Sequence, residues 1–152
     1  LSLITMSSIG EVTSIIDEKV YEKWGEIVST IIINPGYKEG LIGLEEYSHI
    51  MVIFFMDQFK EEQNQSWIRK PRGIETLAKK GCFAQRTKYR PNPIGISTVE
   101  ILSIDDNVIT VKGLDANNKT PVLDIKPYIP EFDSRKDTCV PVWMKELMRD
   151  YF

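Results

Sequence analysis

Ile94-Gly95-Ile96-Ser97-Thr98-Val99-Glu100-Ile101-Leu102-Ser103-Ile104 is the stretch that decides the fold. Its apolar residues alternate as a strand requires, but the phase slips. Ile94 and Ile96 share one face, Val99 and Ile101 take the other, and Leu102 and Ile104 return to the first. A side-chain period of two does not slip without an irregularity in the strand, so the run predicts a β-bulge or strong bend. That is the device that lets a sheet curl into a barrel. Asp105-Asp106-Asn107 then turns the chain and Val108 to Leu114 brings it back, a hairpin.

Downstream lies a polar loop, Asp115 to Thr120, then Pro121 and a short strand, Val122 to Ile125. Pro127, Pro130 and Pro141 break up an extended tail. Val142 to Tyr151 repeats Trp143, Leu147 and Tyr151 at helical spacing behind Pro141, which predicts one helix. Upstream, Ile50 to Met56 is a continuous apolar run of strand length, as expected for a strand covered on both faces, by the barrel interior on one side and a helix or partner subunit on the other. Glu26 to Ile33 is a β-branched strand stopped by Asn34-Pro35-Gly36, and Ile9 to Ile16 reads as a first strand. Asp17 to Trp24 reads as a loop, Gly40 to Tyr47 as a helical turn, and Ile74 to Lys80 as one or two helical turns. No glycine-rich strand-to-helix turn with alternating β and α units appears, which disfavours a Rossmann sheet. The predicted class is mainly β (α+β): a small, mostly antiparallel β-barrel with short peripheral helices. One domain spans 1–152, with 1–8 outside the fold and 134–152 a C-terminal extension.

Composition agrees with a folded domain: 152 residues, 42% hydrophobic and 27% charged. No apolar run approaches the roughly 20 residues needed to cross a bilayer, and Leu1 to Met6 lacks a basic n-region. Cys82 and Cys139 offer neither a disulfide framework nor metal spacing, so a reduced, cytoplasmic setting and no metal are expected. His49 reads as a structural histidine and Cys82 as packing. Walker A, G-x-S-x-G and H-E-x-x-H patterns are all missing.

Charge is unevenly spread. From Trp67 to Arg90 eight basic residues (Arg69, Lys70, Arg72, Lys79, Lys80, Arg86, Lys88 and Arg90) face one acid, Glu75. That is a local +7 on a chain of net -3. A basic patch on an acidic body suits an anionic ligand, although charge runs are often only solvated surface. Overlapping its end, Gly81 to Gly95 holds Pro91 and Pro93, which keep Arg90 and Asn92 extended. A stiff segment carrying guanidiniums and an amide loses little entropy on binding. Asp124 and Lys126 sit on one side of a short strand, and Asp57-Gln58 follow the apolar strand where it opens onto a loop.

Three separated motifs then match a known pattern. Phe83 to Ser97 (F-A-x-R-x-x-x-R-P-N-P-I-G-x-S), Thr120 to Pro130 (T-P-V-x-D-I-K-P-Y-x-P) and Gly40 to His49 (G-L-x-x-x-E-x-Y-S-H) together resemble the TsaA-like, or TrmO, family. The resemblance implies a small non-Rossmann barrel that uses S-adenosyl-L-methionine to methylate N6 of threonylcarbamoyladenosine at tRNA position 37, beside the anticodon. It also implies a homodimer with the cofactor near the subunit interface. By motif position, Arg86, Asp57, Gln58, Ser97, Leu114, Asp115, Ala116 and Asn117 would contact the cofactor. Arg86 would also serve catalysis, and Asp124 is the candidate for taking the proton. Arg90, Asn92, Lys126 and Tyr128 fall on motif positions of unassigned role, while Arg69, Lys70, Arg72, Lys79, Lys80 and Lys88 would face tRNA. Gln85 replaces the usual threonine, Lys119 stands where the D-G-T-P loop has glycine, and the P-R-Q-like segment before Glu26 is shortened. The chain resembles the compact archaeal-type form. The competing reading is a non-catalytic protein of the same fold that binds S-adenosyl-L-methionine or RNA.

Overall fold

The structure, a computed structural model, describes residues 1–17, 22–59 and 66–152. Its main strands are β1 (Gly10–Thr13), β2 (Val28–Ile33) and β3 (His49–Phe55). A small ribbon follows, β4 (Ile68–Arg69) with β5 (Lys80–Gly81), and then β6 (Ile94–Asp105), β7 (Val108–Lys112) and β8 (Pro121–Pro127). Two short helices come last, α1 (Pro130–Asp133) and α2 (Val142–Leu147). Six strands close a barrel in the order β1-β2-β7-β6-β3-β8, with antiparallel neighbours throughout. β4 and β5 pair outside it.

The predicted bulge is there. The β6–β7 register shifts between Ile101 and Ser103, so Ser97, Val99 and Ile101 point inward before it and Ile104 after it. Asp106 makes the hairpin turn with φ 54, a left-handed conformation that aspartate tolerates better than most residues. The interior is aliphatic: Val12, Ile31, Ile33, Ile50, Val52, Phe54, Val99, Ile109, Val111, Leu114 and Val122 form one buried cluster. Each such side chain contributes roughly 1.5–3 kcal/mol by leaving water, before the entropy of ordering is charged against it. Gly95 belongs to this packing. A Cβ there would lie 2.4 Å from the Phe54 ring, so the strand passes this aromatic only as glycine.

Within this chain the inner face of β3 is covered, Ile50, Val52 and Phe54 being buried, whereas Met51, Ile53 and Phe55 are half-exposed on the outside. Three expectations change. Residues 74–80 form turns rather than helix and end in β5, because Lys80 and Gly81 pair with β4. The last helix stops at Leu147, so Tyr151 belongs to a following turn and not to the helical face of Trp143 and Leu147. Pro130, at the first position of α1, opens a single helical turn where an extended tail was expected. Residues 1–8 are mostly exposed and form no strand. Residues 18–21 of the expected early loop lie outside the described residues.

Candidate functional site

At the barrel rim where β3 ends, β6 begins and β7 gives way to the next loop, several motif residues converge. Ser97, inward on β6, donates its hydroxyl to Asp115 Oδ1. Tyr151 donates its hydroxyl to Asp115 Oδ2 at 2.9 Å. Burial pushes the Asp115 carboxyl up from its ordinary value; the bonds from Ser97 and Tyr151 and the charge of Arg86 pull it partly back. Burial and the Asp115 charge drive the Tyr151 phenol far upward, so it stays a donor at neutral pH. Arg86 is exposed and spends one guanidinium nitrogen on the Ile96 carbonyl at 2.8 Å. A guanidinium carries five N–H groups, which leaves donors for an anionic group of a ligand.

Beside this cluster Gln58 bridges to the 115–120 loop. Its Nε2 donates to the Asn118 carbonyl at 3.3 Å, and its Oε1 accepts from Asn117 Nδ2 at 3.0 Å. The loop is pinned from the other side by β1, where Lys119 N–H donates to the Val12 carbonyl at 2.8 Å and Ser14 N–H to Asn118 Oδ1 at 3.1 Å. Lys119 holds φ 65, the left-handed region that explains why a glycine suits this position. Leu114 and Ala116 are buried, so their side chains anchor the loop. Asp57 is exposed next to Gln58.

The basic segment is internally braced. Gln85 is buried and its Nε2 donates to the carbonyls of Lys80 (2.9 Å) and Arg69 (3.2 Å), tying together the two strands of the ribbon. Arg90 turns back to the carbonyls of Gln85 and Thr87 and so shapes the loop it belongs to. Asn92 is exposed. The expected tRNA-facing cations divide. Lys70 pairs with Glu75 at 2.6 Å and Arg72 with Glu22 at 2.7 Å. Arg69 stacks on Tyr89 and Lys88 on Phe59, with the cations 3.7 and 3.5 Å from the ring centroids. Lys79 and Lys80 enter no ion pair with a described residue.

Asp124 stands apart from the rim. It lies on the barrel's outer side opposite Ile53, pairs with Lys126 at 3.0 Å and accepts the Ile125 N–H at 2.9 Å. Tyr128 is farther along, at the opposite end of β3, with its ring edge-on to His49. The structure thus gathers Gln58, Arg86, Ser97, Asp115 and Asn117, and leaves Asp124, Lys126 and Tyr128 on the outer wall. The residue missed by sequence reasoning is Tyr151; only its long-range return reveals it. Among the described residues, one cleft of about 340 Å³ lies beside Gly10 and Asn34, and another of about 450 Å³ lies between Arg72 and Trp143. Neither is lined by the rim group. Among the described residues no cluster of three or more histidine, cysteine, aspartate or glutamate side chains is placed to hold a metal, and no helix is long and apolar enough to cross a membrane.

The sequence pattern of the tRNA-methyltransferase O N-terminal domain matches residues 12–134. The chain belongs to this family. An S-adenosyl-L-methionine-binding protein of Archaeoglobus fulgidus is 39% identical over 111 residues, 73% of this chain and 76% of that protein. A probable S-adenosyl-L-methionine-binding protein of Pyrococcus abyssi is 37% identical over 121 residues, 80% of this chain and 62% of that one. A crystal structure of TrmO from Pseudomonas aeruginosa superposes with TM-score 0.74 at 29% identity, covering 93% of this chain and 63% of the other. The chain therefore spans about three-fifths of the Pyrococcus relative and of the solved TrmO. Residues 135–152, with α2 and Tyr151, lie beyond the matched domain.

Proposed function

We propose that this protein is an S-adenosyl-L-methionine-dependent tRNA methyltransferase acting on N6 of the modified adenosine at position 37. Family membership supports the activity, and an Escherichia coli relative named tRNA (adenine(37)-N6)-methyltransferase is 39% identical over 99 residues, 62% of this chain and 42% of that protein. The observation that carries the reading is the rim group itself, Arg86, Ser97 and Asp115 beside the Gln58–Asn117 pair.

The donor set fits the cofactor. Arg86 offers a planar cation to a carboxylate, Asp115 offers acceptors to hydroxyl or ammonium groups, and Gln58 with Asn117 offers amides to a heterocycle edge. When bound, the cofactor supplies an electrophilic methyl group on a sulfonium. The chain's part is to hold both reactants still and exclude water, and orientation alone can supply roughly 7–11 kcal/mol of a barrier. Asp124 is kept as the candidate proton acceptor on its motif position. It would serve from the outer wall, so it needs an acceptor base delivered there.

That requirement favours a homodimer. The outward side of β3 and β6 carries Met51, Ile53, Phe55, Ile94 and Ile96, with Ile53 opposite Ile96 and Phe55 opposite Ile94. An apolar face beside Asp124 and an open rim together suit a site completed by a second copy. Lys79 and Lys80, joined by Lys70 and Arg72 once phosphate displaces their exposed acid partners, would meet the tRNA backbone, in the cytoplasm where tRNA is found. Incubation with methyl-labelled S-adenosyl-L-methionine and tRNA carrying threonylcarbamoyladenosine tests the reading. Label in the nucleoside is the expected result. Binding without transfer would instead favour the non-catalytic alternative, which the binding-protein names of the archaeal relatives keep in view.

A further inference from the structure

Residues beyond the matched domain come back to the rim, and the way they return is built into the sequence. The Tyr151 carbonyl accepts the N–H of buried Trp24 at 2.8 Å. Phe152 crosses Gly25 so closely that a Cβ on that glycine would stand 2.5 Å from the Phe152 carbonyl carbon. The Tyr151 and Phe152 rings meet edge-to-face at 4.7 Å, and the Arg72 guanidinium lies 5.2 Å from the Tyr151 ring centroid. These contacts fix the phenol, which reaches Asp115 Oδ2 while Ser97 holds Oδ1. With one donor on each oxygen the carboxylate cannot swing, yet about half of its roughly four acceptor positions remain for a ligand.

We propose that Tyr151 is a positioning residue for the cofactor site: a phenol from outside the family domain locks the Asp115 carboxylate in the orientation that receives the cofactor. This rests on the reading of the rim as the cofactor site. The groups around the pair are few. Ser97 from β6 and Arg86 from the basic segment act on Asp115, and Arg72, itself paired with Glu22, acts with Arg86 on Tyr151. All three neighbours of Asp115 favour its charged form against the pull of burial. Loss of the phenol removes one of them, so the carboxyl holds its proton to higher pH.

The test uses the full chain and its Tyr151→Phe variant, which removes one oxygen and keeps the ring. Carbon-13 NMR follows the Asp115 carboxyl titration, and calorimetry measures S-adenosyl-L-methionine binding between pH 5 and 8, with a thermal melt beside each. The variant is expected to titrate at higher pH, to bind about tenfold more weakly at neutral pH, and to shift the acid limb of its binding curve upward. Lys145→Ala, exposed on α2, should change none of these. Should Tyr151→Phe not fold, 3-fluorotyrosine at 151 keeps the shape with a more acidic, stronger donor; the Asp115 midpoint should then fall. An unmoved midpoint in either protein overturns the proposal. So does a moved midpoint with unchanged binding, which would make the contact merely structural, and so does tighter binding, which would make the tail a competitor. If the wild-type chain binds no S-adenosyl-L-methionine, the rim reading falls and takes the role of Tyr151 with it. A Tyr151-dependent Asp115 midpoint in that same protein would separate this outcome from failure of the contact.

Discussion

Asp115 and Asp124 are separated by one loop and a few residues of strand, and they end in opposite surroundings. Asp115 sits at the rim between two hydroxyl donors, with its carboxyl driven up by burial. Asp124 lies on the outer wall, its side chain 49% exposed, paired with a lysine that is 66% exposed. Water competes for every partner of Asp124, so its pair contributes about 0–1 kcal/mol. Asp115 is less exposed, and each of its hydrogen bonds counts for more. A motif position tells which residue is present; only the fold tells how much solvent it keeps, and solvent sets what a carboxylate can do.

The contrast can be broken most directly by Asp115→Asn. Losing a hydrogen-bonded carboxylate from the rim should weaken S-adenosyl-L-methionine binding by about 10–100-fold in calorimetry. Next in size is Gly95→Ala, which forces a methyl against the Phe54 ring. Chemical denaturation should register a loss of about 1–3 kcal/mol. Asp115→Asn should also stabilise. A raised carboxyl pKa means that the folded chain binds this proton more tightly than the unfolded one, so stability falls as pH rises from the ordinary carboxylate value to the raised one. The amide removes that loss, and the melting temperature at neutral pH should rise, with no gain well below the ordinary value. Lys119→Gly, relieving a left-handed lysine, should add about 0.5–1 kcal/mol and leave binding alone. Asp124→Asn should shift stability by less than about 0.5 kcal/mol. Its methyl transfer rate sharpens the comparison: a full rate would remove Asp124 as the proton acceptor.

The phase slip in residues 94–104 was enough to announce a bulge and a curled sheet, because strand periodicity is local and the slip is visible in a single segment. That Gln58, Arg86, Ser97, Asp115 and Asn117 would lie together at one rim was suggested by the resemblance alone, because these residues come from separate segments and no local pattern joins them. Tyr151 was not suggested at all. Its spacing with Trp143 and Leu147 suggested a helical face, and the helix ends before it because the chain must cross Gly25 to reach Trp24. The pairing of Arg72 with Glu22 was hidden for the same reason, as it joins segments far apart in sequence. Residues 74–80 misled because a run that mixes Ile74, Leu77 and Ala78 with polar residues reads as helix until Lys80 is claimed by Arg69 of another strand.

The barrel is joined least firmly where β1 meets β8. Only Gly10 with Val122 and Glu11 with Pro121 stand opposite one another there, against four such pairs between β1 and β2, and Pro121 has no N–H to give. Such a seam is the natural place for the closed sheet to breathe, and amide exchange at Ile9 and Val12, whose N–H groups bond the Val122 and Thr120 carbonyls, would report it. The loop that carries Asp115 is stitched to the same stretch of β1, so each opening of the seam would loosen the bonds that hold that carboxylate in place.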